Sequence, residues 1–204
     1  MARVRASDYD DKTRAIMDAA ALLFARSGYP NAKMQDIAKA CGASKSMLYH
    51  YFPAKDDLLF AMLREHLESV LDGIEGAREE LQDPRERFFA IVQMYVQKSA
   101  QARRRNIVAT NDVKFLPKSM QTPLLEIESN VVKLVSQSLK ELNPHLDELL
   151  YKPYAMMLIG VLNWTEIWYR PSGPMKPQEL CERITRLFLH GFLAETSAGA
   201  QARR

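Results

Sequence analysis

Apolar residues recur along this chain at the spacing of a helix almost throughout. In residues 12–27, Ile16, Ala20, Leu23 and Phe24 form one stripe, and the segment stops at Gly28, a residue suited to the left-handed turn that ends many helices. Met34, Ile37, Ala38 and Cys41 repeat at i, i+3, i+4 and i+7, one face of a two-turn helix closed by Gly42. Ser44 is placed to cap a third helix over residues 45–51, with Leu48, Tyr51 and Phe52 inward and Pro53 as its stop. A long fourth segment, 55–81, carries Leu58, Leu59, Met62, Leu63, Leu67, Val70 and Leu71. The same periodicity predicts helices over 85–102, 107–115, 120–142, 146–169 and 178–195. Pro30, Pro53, Pro84, Pro117, Pro144 and Pro171 fall between these segments, where a missing N–H does least harm. The expected class is all-α, with about nine helices.

Composition narrows the setting. A chain of 204 residues can bury a core without disulfides or metals. Its two cysteines, Cys41 and Cys181, lie far apart inside helical patterns, as small buried hydrophobes of a reducing compartment do. No apolar run approaches the roughly 20 residues that span a bilayer, and the start carries Arg3, Arg5, Asp8, Asp10 and Asp11 rather than a secretory signal. A cytoplasmic protein without membrane contact is expected. With 28 basic and 25 acidic residues the net charge is only +3, which permits nucleic-acid binding without announcing it.

Local charge is more telling. Lys33, Lys39, Lys45 and Lys55 are opposed in that stretch only by Asp36, an excess that would bind a phosphate backbone by releasing counterions. Two short helices joined through Gly42 and Ala43, with a third before them, outline a helix-turn-helix, whose second helix enters the major groove. On a helical wheel that second helix turns Lys45, Ser46, Tyr49 and His50 outward. Lys45 can donate to guanine O6 or N7, while Ser46 and His50 can serve several base edges. Tyr49 and Lys55 suit phosphates. A solvated amphipathic helix pair would show the same periodicity. Arg3 and Arg5 are either a minor-groove arm or a solvated tail.

The stretch MQDIAKACGASKSMLYHYFPAKDDLL, residues 34–59, closely resembles the signature of the TetR family of transcriptional regulators. The resemblance implies an N-terminal three-helix DNA-binding domain (1–54), a linking helix (55–71) and a C-terminal helical domain (72–204) that binds an effector and dimerises. It also implies operator contacts at Ser44, Lys45, Ser46, Met47, Tyr49, His50 and Lys55, with Lys33 and Gln35 at the second-helix positions. One feature departs from the pattern. Threonine followed by serine or threonine is usual where this chain has Ala32 and Lys33, so a hydroxyl cap is missing and Asn31 or the Lys33 ammonium is left to substitute.

The C-terminal part is also similar to the family, chiefly over residues 160–192, GVLNWTEIWYRPSGPMKPQELCERITRLFLHGF. Segment 146–169 is apolar nearly all round, so it must pack on more than its own domain, and a second copy is the simplest partner. Met157, Val161, Leu180, Ile184, Phe188 and Phe192 are the expected dimer contacts in a two-fold bundle, and a homodimer fits a palindromic operator with half-sites ~34–36 Å apart or a multiple of that. Phe88, Phe115, Met120, Asn163 and Trp164 are the candidate effector lining, the apolar ones either pocket walls or ordinary core and Asn163 either an orienting group or a bond across the interface. Arg103, Arg104 and Arg105 either complement a helix C-terminus or bind the phosphates of a coenzyme A thioester. YHYFPAKDDLLFAML (49–63) and NDVKFLPKS (111–119) resemble the branch of the family that controls phenylacetate and related aromatic-acid catabolism and responds to an acyl-coenzyme A.

Other functions have less support. His50, His66, His145 and His190 have no metal-ligand spacing and no nucleophile motif occurs, so neither a metal, a cofactor nor catalysis is expected. An effector-free architectural DNA-binding protein would carry stronger basicity. A ligand-released repressor is the function the sequence favours, for an acyl-coenzyme A, a fatty acyl-coenzyme A or a free hydrophobic compound.

Overall fold

Helix follows helix with short connections. A computed structural model describes residues 2–97 and 100–196, with side chains described at 9–97 and 102–196. The helices are α1 (Ala2–Ser27), α2 (Met34–Ala40), α3 (Lys45–Tyr51), α4 (Lys55–Glu80), α5 (Pro84–Val96), α6 (Ala100–Asp112), α7 (Lys118–Leu142), α8 (Tyr151–Trp168) and α9 (Pro177–Phe192). Short 3-10 turns occupy Tyr29–Asn31, Val113–Phe115 and Glu148–Leu150, and no strand occurs among the described residues. The chain divides into two compact units, Met1–Leu67 with Ser99–Leu125, and Glu68–Lys98 with Glu126–Arg204. The divisions fall inside α4, between α5 and α6, and inside α7.

Several expected boundaries shift for local reasons. α1 begins ten residues before the expected start, because no glycine or proline interrupts residues 2–11 and Tyr9 stacks on Tyr51 with ring centroids 4.7 Å apart. The side chains of Arg3 and Arg5 lie outside the described residues, as does the tail beyond Thr196. The expected helix 85–102 is cut at Gln97, whose φ of −94° and ψ of 17° leave the helical path. Arg103–105 therefore sit inside α6 rather than after a helix C-terminus, and the dipole explanation for them falls. Before α8, Asp147 accepts from the Leu149 N–H and winds Glu148–Leu150 into its own 3-10 turn.

In the first unit, Ile16, Met17, Ala20, Ala21 and Phe24 are buried. That face is wide enough for two neighbours, and both α2 and α6 pack against α1. Arg105 from α6 is buried and forms ion pairs with Asp18 of α1 at 2.9 Å and Glu65 of α4 at 2.6 Å. Beside it His66 shares a 3.1 Å hydrogen bond with Asn106 in the interior.

In the second unit, α5 supplies Phe88, Ile91, Val92, Tyr95 and Val96 to a core completed by Leu158 and Leu162 of α8 and by Leu180, Cys181, Ile184 and Phe192 of α9. Burial pushes the Cys181 thiol up to about 11, which leaves it a protonated packing group. Burial also raises the Tyr95 phenol, helped by the Glu166 and Glu128 carboxylates. Leu180, Ile184 and Phe192, expected as dimer contacts, are thus packed into the core of the chain itself. Their stripe marks a buried face, and α5 is what buries it.

Candidate nucleic-acid interface

The backbone first sets which way α3 faces. Gly28 and Gly42 hold φ of +76° and +67°, the left-handed conformation that ends α1 and turns the chain between α2 and α3. Ser44 Oγ accepts from the Met47 N–H at 3.1 Å, the expected N-cap, and the residue is exposed. Leu48 and Phe52 are buried, and Tyr51 is held between Tyr9 and His50. Lys45, Ser46, Met47, Tyr49 and His50 are left exposed on the opposite side. This is a two-turn helix with its hydrogen-bonding side chains outward, the form that reads base edges in a major groove.

α2 enters the same surface. Lys33 is its N-cap residue and makes no side-chain cap bond, and Asn31 Nδ2 donates back to the Ser27 carbonyl at 2.9 Å. Neither expected substitute replaces the missing hydroxyl cap. Lys33 and Gln35 are exposed, and with Met34, Lys45, Tyr49 and Lys55 they line an open recess. Lys33, Lys45 and Lys55 around one recess make it cationic, as a surface facing phosphates requires.

Lys55 departs from the reading of it as a simple phosphate contact. Its Nζ donates to the carbonyls of Tyr29 at 2.9 Å, Ala32 at 3.1 Å and Pro30 at 3.4 Å, and lies 4.3 Å from the centre of the Tyr29 ring. Tyr29 itself is buried, its hydroxyl donating to Asp56 and its ring stacked on Phe115 at 6.0 Å. Burial and the Asp56 carboxylate hold the Tyr29 phenol well above its ordinary value. Its backbone N–H donates to Asp112, whose carboxyl burial pushes upward. Sequence reading passed over Tyr29, Asp56 and Asp112. Their only local signal is an aromatic residue between Gly28 and Pro30.

The eight candidate effector residues do not gather in one unit. Phe115, Met120 and Arg103–105 belong to the first, Phe88, Asn163 and Trp164 to the second. Phe88 is fully buried and stacked on Phe188 at 5.6 Å, so it is core rather than lining. Phe115 is 44% exposed and Trp164 is 63% exposed, so neither faces an enclosed cavity. Arg105 is ion-paired, and Arg103 and Arg104 are half-buried. Asn163 and Met120 are also half-buried. Of the expected dimer contacts, Met157 and Val161 are exposed on α8 beside Met156, Trp164, Ile167 and Trp168. Phe188 is half-buried, its ring packed on Phe88 and Phe192.

Comparison with known proteins agrees with this arrangement. Residues 16–62 match the family described as bacterial regulatory proteins, tetR family, and residues 81–192 match the tetracyclin repressor-like C-terminal domain. A solved TetR-family transcriptional regulator from Bordetella parapertussis is 34% identical, covers 91% of this chain and 97% of its own, and superposes with a TM-score of 0.83. The transcriptional repressor KstR2 of Mycobacterium tuberculosis is 22% identical over 88% of this chain and 92% of its own length. AibR, solved with isovaleryl coenzyme A and operator DNA, is 20% identical, covers 86% of this chain and 97% of its own, and has a TM-score of 0.75. This chain spans only 26–39% of the length of three other curated relatives, one of them described as a transcriptional activator.

Proposed function

The chain belongs to the TetR family of bacterial DNA-binding transcriptional regulators, and on that premise we propose that it is a cytoplasmic repressor, bound as a homodimer to a palindromic operator and released by a small effector. The observation that carries the reading is α3, capped by Ser44 and anchored by Leu48 and Phe52, with Lys45, Ser46, Tyr49 and His50 outward. Lys45, Ser46 and His50 read base edges. Lys33, Gln35, Ser44 and Tyr49 fix the helix on the backbone, since phosphate contacts position and base contacts specify, and the apolar Met47 side chain packs against a sugar or a thymine methyl group. Replacing Lys45 by alanine is expected to lose about 1–3 kcal/mol of discrimination at one symmetric base position. Binding to an operator selected from random DNA, compared with single-base variants of it, measures this. An equal loss on every sequence removes Lys45 from base reading.

The effector is proposed to be an acyl-coenzyme A thioester, of the phenylacetyl or another aromatic acyl class. Support comes from the resemblance of residues 49–63 and 111–119 to the aromatic-acid branch, and from AibR, a similar fold solved with a coenzyme A thioester. Arg103 and Arg104 are the phosphate ligands in this reading, because a guanidinium pairs with phosphate through two donors. Release by effector is expected to lower operator affinity 5–150-fold, and linkage requires operator DNA to weaken thioester binding by the same factor. Titrating phenylacetyl-coenzyme A and fatty acyl-coenzyme A with and without operator checks both directions. No change with any thioester would sink the effector class and leave the regulator assignment standing. Unaltered thioester binding after Arg103→Ala with Arg104→Ala removes the arginines as ligands.

A further inference from the structure

We infer that Lys55 is a positioning residue for DNA binding: its ammonium fastens the connection between α1 and α2 and so sets the start of α2, instead of binding a phosphate. An ammonium has three donors, and three carbonyls, those of Tyr29, Ala32 and Pro30, lie within 3.4 Å of this one. A phosphate could be bound only by giving one of them up. These carbonyls end a 3-10 turn, where no helical N–H follows to satisfy them, so the side chain completes the hydrogen bonding of that segment.

The placement is otherwise unfavourable. Lys55 is the first residue of α4, and a cation at a helix N-terminus opposes the positive end of the dipole. Asp56 and Asp57 offset this. Asp57 accepts the Ala54 N–H at 2.9 Å, and Asp56 accepts the Tyr29 hydroxyl, so two adjacent residues grip the same loop by its carbonyls and by its ring.

What the grip controls is the entry to α2. Ala32, whose carbonyl Lys55 holds, immediately precedes Lys33, and the Lys33 carbonyl accepts from the Asp36 and Ile37 N–H groups. α2 has no side-chain N-cap of its own. A missing cap lets the first turn fray, and here a lysine from α4 restrains the residue before that turn. Gln35 and Lys33 on that turn then keep a fixed place beside α3.

The inference rests on the DNA-binding reading for its consequence, so the test has one arm without DNA. Lys55→Met keeps the length and removes the donors. In the free protein, amide hydrogen exchange at Asp36 and Ile37 is expected to accelerate about fivefold, the effect of losing roughly one helix cap. Lys55→Gln, which keeps amide donors, is expected to fall between Met and the parent. With the selected operator, affinity is expected to drop while the slope of log K against log salt stays that of the parent. A slope shallower by about 0.9 would mean a lost phosphate contact and would overturn the inference whatever exchange does. Unchanged exchange in both variants would overturn it as well. Should the parent bind no selected DNA, the exchange arm still decides the structural claim.

Discussion

A Trp164→Glu protein is expected to sediment as a monomer and to lose about a thousandfold in operator affinity, falling toward the non-specific level. Met157, Val161, Trp164 and Trp168 stand at i, i+4, i+7 and i+11 on α8, and Met156 and Ile167 flank them. All six are about half exposed or more, from 48% at Val161 to 63% at Trp164. Scattered apolar residues on a surface need no explanation, but a contiguous stripe of this size on one helix does. Gly160 lies on the same side with open space where a Cβ would be, which allows a second helix close approach. Burying such side chains fully is worth about 1.5–3 kcal/mol each, enough for a stable two-fold contact. A carboxylate at the centre of that contact would face its own copy across the two-fold axis, adding repulsion to desolvation. DNA binding suffers because a dimer engages two half-sites at once and a monomer only one. Sedimentation velocity and operator titration measure the two effects, with circular dichroism to establish that the fold persists. A dimer of unaltered affinity would remove α8 from the interface.

The helix-turn-helix was legible because its signals are local. Gly28, Gly42 and the Ser44 cap each act within one turn, and the stripes ending in Cys41 and Phe52 fit two short helices with nothing else to satisfy. The break between α5 and α6 was not legible. Val96, Gln97 and Ala102 carry no glycine or proline signal, and α6 is placed by packing on α1 far away in sequence. What covers the apolar faces of α8 and α9 was not legible for a related reason: periodicity says that a face is covered, not what covers it. Leu180, Ile184 and Phe192 are covered by their own chain, while Trp164, read as pocket lining, lies in the open stripe. The carbonyl partners of Lys55 were not legible because they lie 23–26 residues earlier, beyond any helical repeat.

The ion pairs of Arg105 also join residues far apart in sequence, and its replacement carries the other large expected effect. Arg105→Met is expected to destabilise the protein by about 1–3 kcal/mol, less than the ~3–5 for a wholly buried broken pair. The discount follows from the partners: the Arg105 side chain is 10% exposed, but Asp18 is 35% and Glu65 46% exposed, so both carboxylates can rehydrate when the cation goes. Arg105 Nε is already buried without an acceptor, so a methionine removes an unsatisfied donor while filling much of the same space. What remains is the cost of two like charges, one on α1 and one on α4, facing each other across α6. For a chain of this size the melting temperature should fall by about 2–12 °C. The triple replacement Asp18→Asn, Glu65→Gln, Arg105→Met should recover most of that loss, because neutral groups leave no uncompensated charge. Thermal unfolding of the parent, the single variant and the triple variant completes the comparison. If the triple variant melts below the single one, the ion pairs contribute geometry that neutral hydrogen bonds cannot supply, and charge compensation is not what Arg105 provides.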